Sequence, residues 1–192
     1  GGSPDMLDVL GVNYYWNNQW IFGGPPLSPF DPRYRPLHAL LADVLARFRR
    51  PLFVAETSIE DERRASWLRF VCEEVAEARR NGVPVGGICL YPIMSPPGWD
   101  DARYCANGLF EMTPGADGLR PVYAPLAAEL RRQQAVFERA GGAALGNFVD
   151  VEPGYSERPA RALGPLDIAI EQFPFRPGLH PADRDDRDFH RN

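Results

Sequence analysis

One short stretch, residues 51–58, does most to fix what this chain can fold into. It is an almost continuous apolar run of Leu, Phe, Val and Ala, and such runs are typical of a strand buried in a parallel sheet. The run ends at Glu56, and in α/β barrel enzymes the residue at the carboxyl end of a strand is where catalytic groups lie. Glu56 is therefore our first candidate catalytic residue. The alternative interpretation is that its carboxylate only caps the following helix.

Strands and helices are predicted to alternate along the chain on both sides of this run. Apolar runs at 6–12 and 83–91 predict two further strands. Apolar residues three and four positions apart predict helices at about 37–48, 62–80 and 124–140. Because the connections are short, this order predicts an α/β protein with a parallel sheet built by right-handed crossovers.

Length and composition narrow the possible classes of protein. The 192 residues are fewer than the roughly 250 of a closed eight-stranded α/β barrel, so we expect a small domain or a piece of a larger one. The net charge is −5 and the basic residues are scattered, which argues against nucleic acid as a partner. With no run of about 18 apolar residues, we expect a soluble protein without a membrane partner. No Gly-rich loop opens a helix after a strand, which disfavours a nucleotide-binding protein.

The cysteines and the beginning of the chain bear on the compartment. Cys72, Cys89 and Cys105 are odd in number and lack the paired spacing of zinc sites, so we expect them to be reduced and buried. No feature at the start of the sequence resembles a secretory signal, and we expect a cytoplasmic protein. The adjacent Asp100 and Asp101 are weak evidence for a metal site, and a solvated turn is the better interpretation.

Two loops that follow predicted strands are rich in aromatic and polar side chains. Residues 13–20 contain Asn13, Tyr15 and Trp20, and residues 91–101 contain Tyr91 and Trp99. Such side chains hydrogen-bond hydroxyls and stack on flat apolar faces, which favours a sugar-binding surface. Tyr and Trp also fill cores, and on composition alone sugar binding and core packing are equally good interpretations of the first loop.

The last part of the chain differs in character from the rest. Residues 141–192 are rich in proline, have few periodic apolar positions and end in an alternating run of Asp and Arg. We therefore divide the chain into a folded part, 1–140, and an extended or disordered tail, 141–192. One apolar segment within the tail, residues 166–175, is expected to dock on the body or pair with a partner.

The residues from Asp8 to Tyr15 carry a resemblance to a known family. Their pattern, Asp-x-x-Gly-x-Asn-Tyr-Tyr, resembles the sixth-strand signature of family 1 β-glycosidases, the β-glucosidase-like (βα)8 barrels of the retaining clan. Residues 54–56 are similar to the end of that family's seventh strand, which carries the nucleophilic Glu. The resemblance covers about residues 7–138. It implies that 1–140 is the C-terminal portion of a TIM barrel, about strands six to eight with their helices.

The resemblance also implies roles for individual residues. Glu56 would be the nucleophile of a retaining β-glycosidase, and Tyr15 would donate a hydrogen bond that orients it. Four further residues would shape the sugar site without a cofactor: Asn13 near the 2-hydroxyl, Trp20, Tyr91 in place of a floor Trp, and Trp99.

Three departures and one absence limit this implication. Thr57-Ser58 replaces the family's Asn-Gly, Tyr91 replaces a Trp, and Gly98 replaces an acid that grips the sugar. The family's general acid/base lies on an earlier strand that this chain does not contain. The expected partners are therefore a carbohydrate substrate and either the missing N-terminal barrel half or a second copy of the chain. An inactive barrel that binds carbohydrate or acts as a scaffold is the alternative.

Overall fold

The strand that carries Glu56 forms the centre of a small parallel sheet. The computed structural model describes residues 6–144, with side chains up to residue 140, and within that range all the predicted strands and helices are present. The strand order is β1-β2-β3 and both pairings are parallel, as the sequence predicts. The strands are β1 (Leu10–Asn13), β2 (Leu52–Thr57) and β3 (Val85–Leu90), and the helices are α1 (Leu37–Phe48), α2 (Arg64–Arg80) and α3 (Ala124–Ala144).

Several boundaries differ from the predicted ones. β1 begins at Leu10 rather than at Met6, and a 3-10 turn at Asp61–Arg63 precedes α2. Gly82, in the predicted stop after α2, has a φ of +80°, a left-handed conformation that glycine adopts without strain. Helix α3 continues to Ala144, beyond its predicted end at residue 140. The rest of the predicted tail, including 166–175, lies outside the described residues.

The helices cover one face of the sheet, and the hydrophobic core lies between them and the strands. Leu52, Val54 and Val85 are 0% exposed, and they belong to one cluster with helical residues such as Leu41 and Leu68. Successive residues of a strand point to opposite faces, so the side chains between these core residues point away from the helices. No helix within residues 6–144 is both long and apolar enough to span a bilayer.

The other face of the sheet carries no layer of helices in the described part of the chain. Gly11 pairs in register with Phe53, and a Cβ at Gly11 would lie 2.9 Å from Cβ of Ala55, which places these three residues on the same face. β2 is therefore covered on one face only, although its apolar run predicts a buried strand. The pairing of β2 is irregular between Val54 and Thr57, so the alternation is interrupted there and the adjacent Ala55 and Glu56 both lie on this side. We call this surface the open face; its residues are Gly11, Asn13, Phe53, Ala55, Glu56, Gly87 and Cys89.

The open face explains the failure of one cysteine prediction. Cys72 and Cys105 are buried as expected, but Cys89 is exposed, so its predicted burial is wrong. Cys89 follows the core residue Ile88 in β3, and the alternation of a strand turns it toward the uncovered side. All three thiols are free.

A buried carboxylate joins α2 to α3. Glu129 is 5% exposed and accepts hydrogen bonds from Arg69, Arg132 and Gln133. Burial alone would raise the pKa of Glu129, but the hydrogen bonds from the two guanidinium groups and the amide outweigh it and lower the pKa to about 2. The charged form of Glu129 therefore stabilises the packing of the two helices.

This carboxylate is expected to make stability depend on acidity. Because the pKa of Glu129 is lower in the folded state than its ordinary value of 4.5, its contribution is complete above that value and is lost as the pH falls toward about 2. Urea midpoints measured over this range should converge for the wild type and Glu129→Gln. A difference between the two proteins that stays constant with pH would contradict this assignment.

Candidate active site

The carboxyl ends of β1 and β2 bring three of the predicted site residues together. Asn13 pairs in register with Glu56, after an irregularity in β1 between Val12 and Asn13. The Tyr15 hydroxyl donates a hydrogen bond of 2.9 Å to Oε2 of Glu56. The backbone is also tied here, because the Tyr14 N–H donates to the Glu56 carbonyl at 2.9 Å. The carboxylate is thus held by the segment that directly follows the neighbouring strand.

The phenol of Tyr15 is kept in its protonated form. Burial raises the pKa of Tyr15 above its ordinary value, and the hydrogen bond to Glu56, the charge of Glu56 and the nearby Tyr91 raise it further. The hydroxyl therefore remains a donor at all ordinary pH values and fixes the direction of one carboxylate oxygen. A nucleophile that must approach one carbon atom benefits from such orientation.

Glu56 does not occupy a capping position. It lies within β2, whereas the residues that precede the 3-10 turn and α2 are Glu60 and Arg63. Neither of them makes a side-chain capping hydrogen bond. The geometry therefore gives no support to the interpretation of Glu56 as a helix cap.

Tyr91 lies at the same edge of the sheet. Its N–H donates to the carbonyl of Thr57 at 3.2 Å, so the loop after β3 begins next to the end of β2. The side chain of Tyr91 is 43% exposed and contributes to the pKa shift of Tyr15. Tyr91 is thus the fourth predicted residue that the fold places near the carboxylate.

The two tryptophans of the prediction are less closely involved. Trp20 is 61% exposed and Trp99 is 90% exposed, both on loops that follow strands. Within residues 6–144, no hydrogen bond or ring stacking joins either indole to Glu56 or Tyr15. Their predicted contact with a sugar remains a prediction.

A side chain at position 98 would have to displace the carboxylate of Asp101. A Cβ at this position would lie 2.2 Å from Oδ1 of Asp101, which also accepts a hydrogen bond from the Arg103 N–H at 3.1 Å. The resemblance places an acidic residue at position 98, and here a carboxylate from the same loop occupies that space. Within the described residues, no group of three or more potential metal ligands surrounds it.

The residues beneath Glu56 form a support that the sequence analysis did not identify. Thr57 is fully buried, and its hydroxyl accepts a hydrogen bond of 2.8 Å from Nε1 of Trp67. The Trp67 ring stacks on Tyr14, with centroids 5.8 Å apart and planes inclined by 10°. Tyr14 in turn shares a hydrogen bond of 2.9 Å with the hydroxyl of Tyr34. This network fixes the residues adjacent to Tyr15 and Glu56.

The loops after β2 and β3 are also tied to each other. Arg103 donates to both carboxylate oxygens of Glu60, at 2.6 and 3.0 Å, and the Asp61 N–H donates to the carbonyl of Ala106 at 2.9 Å. These pairs are distant in sequence and have no common motif. The sequence contains one signal for these contacts, which is that Glu60 and Asp61 come just after a predicted strand.

Buried Arg64 completes this link from the helix side. It is 6% exposed and donates to the carbonyls of Asp61 and Gly108, at 2.8 and 2.7 Å. Its guanidinium lies 3.4 Å from the centroid of the Tyr123 ring. One side chain thus joins the start of α2, the loop after β3 and the segment before α3.

A groove elsewhere in the structure does not bear on this chemistry. It encloses about 220 Å³ between α2 and α3, in the helical layer and not on the open face that carries Glu56. We therefore assign the candidate site from the carboxylate and its partners. The groove is lined by Cys72, Glu73, Ala76, Arg80, Arg132, Gln133, Val136 and Phe137.

Comparisons with known proteins agree with this geometry at the level of fold. The chain is similar to the β-glycosidase of the hyperthermophile Thermosphaera aggregans, with 21% identity, a TM-score of 0.50 and 66% of this chain covered. It is also similar to Fpglu1 from Fervidobacterium pennivoraus, with 20% identity, a TM-score of 0.51 and 72% covered. These likenesses show a β-glycosidase-like fold with a parallel sheet and helices.

The similarity is distant and partial. The chain spans 32% of the length of the first of these proteins and 38% of the second. No protein-family model matches the sequence. No curated protein matches it either.

Proposed function

We propose that this chain supplies the nucleophile of a retaining β-glycosidase. The observation that carries the proposal is the hydrogen bond from Tyr15 to Glu56 at the carboxyl ends of two neighbouring parallel strands. This is the place where barrel enzymes carry their catalytic groups. The β-glycosidase-like fold of the chain supports the choice of reaction.

In the proposed reaction, Glu56 attacks the anomeric carbon and the bond to the leaving oxygen breaks. A glycosyl ester forms on Glu56, and water then hydrolyses it with a second inversion, so the configuration is retained. Tyr15 holds the attacking carboxylate in position throughout. Neither step requires a cofactor.

The reaction needs a second carboxyl group ~5–5.5 Å from the first, to protonate the leaving oxygen and later to activate water. Among the residues of the open face, Glu56 is the carboxylate, and the acid must therefore come from a polypeptide region outside this face. The chain thus provides half of the proposed site. We use "assembled enzyme" for this chain together with the region that supplies the acid.

The remaining predicted residues are proposed to bind the sugar. Asn13 pairs with Glu56 in the register of β1 and β2, and Tyr91 presents a half-exposed ring at the same edge. Trp20 and Trp99 are exposed indoles on the flanking loops, suited to stacking on the apolar face of a sugar ring.

A second candidate function is carbohydrate binding without hydrolysis. The observation that favours it is the loop around Gly98, where Asp101 occupies the space that a side chain at position 98 would need. The resemblance places an acidic residue at position 98, and the glycine found there has no carboxylate to direct at a sugar. A barrel altered in this way could retain affinity for sugars and lack turnover.

Aryl β-glycosides distinguish the two functions. The assembled enzyme is expected to release the phenol. With an activated 2-deoxy-2-fluoro glycoside it is expected to accumulate a covalent adduct, because the fluorine slows both steps while the activated phenol leaves fast enough for the first step to proceed. Peptide mapping should place the adduct on Glu56. Binding of the glycosides without phenol release would support the second function, and an active enzyme labelled on another carboxylate would refute the assignment of Glu56.

A further inference from the structure

One side chain of the helical layer contacts the neighbours of both residues of the candidate site. Trp67, near the start of α2, donates a hydrogen bond of 2.8 Å from Nε1 to the hydroxyl of Thr57, which directly follows Glu56. Its ring stacks on Tyr14, which directly precedes Tyr15, with centroids 5.8 Å apart. A single indole thus holds the residue beside the carboxylate and the residue beside the phenol.

The strand ladder does not fix this part of the sheet by itself. The pairing of β1 with β2 shifts in register between Val12 and Asn13, and that of β2 with β3 shifts between Val54 and Thr57. Where a ladder is irregular, the regular spacing of its hydrogen bonds no longer determines how the two strands face each other. Side-chain contacts at the end of β2 are therefore expected to take over that task.

Thr57 acts from beneath the site and not within it. Its side chain is 0% exposed, so a ligand at the carboxyl ends of the strands cannot touch it. The Tyr14 N–H donates to the carbonyl of Glu56 at 2.9 Å, so the second residue that Trp67 contacts is also tied to the backbone of the carboxylate. Any effect of Trp67 on a reaction must therefore pass through these two residues to Glu56 and Tyr15.

We infer that Trp67 is a positioning residue of the proposed active site. Through the two residues it holds, it sets the contact of 2.9 Å between the Tyr15 hydroxyl and the Glu56 carboxylate. The inference rests on the proposed function for its effect on a rate, whereas the geometric part concerns this chain alone. A reacting group displaced by about 1 Å loses on the order of 10²-fold in rate, so a contact that fixes its direction has a large effect without touching the substrate.

The contacts of Trp67 divide into packing and directional ones. Its ring packs on Phe70, with centroids 5.4 Å apart, and this contact needs only apolar area. The bond to Thr57 differs, because a hydrogen bond is directional and holds the hydroxyl, and with it the backbone next to Glu56, in one orientation. Substitutions can therefore separate positioning from packing.

The direct test is made on the full chain, without substrate. A 3-fluorotyrosine incorporated at position 15 gives a fluorine NMR signal whose chemical shift follows ionisation of the phenol. Burial, the hydrogen bond and charge of Glu56, and the nearby Tyr91 all raise the pKa of Tyr15, so a weakened bond to Glu56 lowers it. Thr57→Val removes the acceptor at nearly constant shape, and we expect its titration at lower pH than in the chain with Thr57. Thr57→Ser keeps the hydroxyl and should recover most of this shift.

Two further variants act on the donor of the bond. Trp67→Phe removes the N–H and keeps a ring against Tyr14, so it should shift the Tyr15 titration in the same direction. The double variant Thr57→Val/Trp67→Phe leaves neither group unpaired and should be no less stable than Trp67→Phe, because removing both partners of a hydrogen bond costs little beyond their packing. Its titration should stay shifted, since the directional bond is still missing.

Phe70→Leu is the matched control. It reduces the packing on Trp67 and leaves the bond to Thr57 in place, so the urea midpoint should fall while the titration of Tyr15 does not change. A role of Trp67 in packing alone predicts a different pattern, in which the titration follows stability in every variant.

The same variants should divide in the same way in the assembled enzyme. Thr57→Val should lower kcat on aryl β-glycosides by about 10- to 100-fold and leave KM nearly unchanged, because the bond acts on the direction of attack and not on sugar binding. Thr57→Ser should recover most of the loss, and Phe70→Leu should retain the original kcat.

An unshifted Tyr15 titration in either folded variant, Thr57→Val or Trp67→Phe, would overturn the inference. Equal shifts in Thr57→Val and Phe70→Leu would also overturn it, because they would show a general loosening of the core. If Thr57→Val does not fold, Trp67→Phe carries the same test. The two proposals fail separately: a shifted titration in an assembled protein without hydrolysis would refute the proposed function alone, and an active enzyme with an unshifted titration would refute the positioning role alone.

Discussion

Replacing Glu56 with Gln is expected to abolish glycoside hydrolysis by the assembled enzyme, with a loss in kcat on the order of 10⁴-fold or more. The amide is nearly the same size as the carboxylate but cannot form the glycosyl ester. It can still accept the hydrogen bond from Tyr15 that holds the carboxylate at 2.9 Å. The affinity for an unreactive sugar analogue should therefore change little. Steady-state kinetics and equilibrium binding on the same preparation separate the two effects.

Tyr15→Phe is the matched control for this experiment. It removes only the hydroxyl that orients Glu56, so the rate should fall by a smaller factor than in Glu56→Gln. If Glu56 acted only as a structural residue, its substitution would cost on the order of 1 kcal/mol of stability and leave the rate unchanged. Full activity of Glu56→Gln would therefore exclude it as the nucleophile.

Replacing Arg64 with Met is expected to give the largest loss of stability among the polar side chains near the site. The buried carbonyl of Gly108 would lose its donor, whereas that of Asp61 would keep the backbone N–H of residue 64. One unsatisfied buried group costs on the order of 1–3 kcal/mol, so a loss of about that size is expected. The contact of the guanidinium with Tyr123 would be lost as well. Urea unfolding followed by tryptophan fluorescence measures the change.

The neighbouring arginine provides the control. Arg63 is exposed, and Arg63→Met should change stability by no more than about 0.5 kcal/mol. Similar urea midpoints for the two variants would show that the bonds of Arg64 contribute little. The loop after β3 should also become more accessible to proteases in Arg64→Met, because Arg64 holds it at Gly108.

The secondary structure was predictable because local signals agree with the tertiary fold. The apolar stripe of residues 37–48 matches α1, and the glycine after α2 ends that helix as expected. The proximity of Asn13, Tyr15 and Glu56 was predictable from the parallel order, since the carboxyl ends of parallel strands meet at one edge. The exposure of Cys89 was not predictable, because an apolar run does not indicate whether both faces of its sheet are covered.

The supporting contacts could not be predicted for a different reason. Arg103 and Glu60 are 43 positions apart, and Trp67 reaches Thr57 from the helical layer. Such pairs depend on the relative placement of loops and helices, and no residue pattern specifies it. Arginine and glutamate on exposed loops are common, so their presence alone does not indicate a contact.

Tyr14 and Tyr15 are adjacent in sequence but serve opposite sides of the sheet. Tyr14 is 5% exposed and stacks on Trp67 among the helices, while Tyr15 reaches Glu56. A shift of one residue in the register of this segment would exchange the two phenols and bring each into the wrong surroundings. An insertion or deletion of a single residue between β1 and Tyr15 is therefore expected to remove both the stacking of Tyr14 on Trp67 and the hydrogen bond from Tyr15 to Glu56.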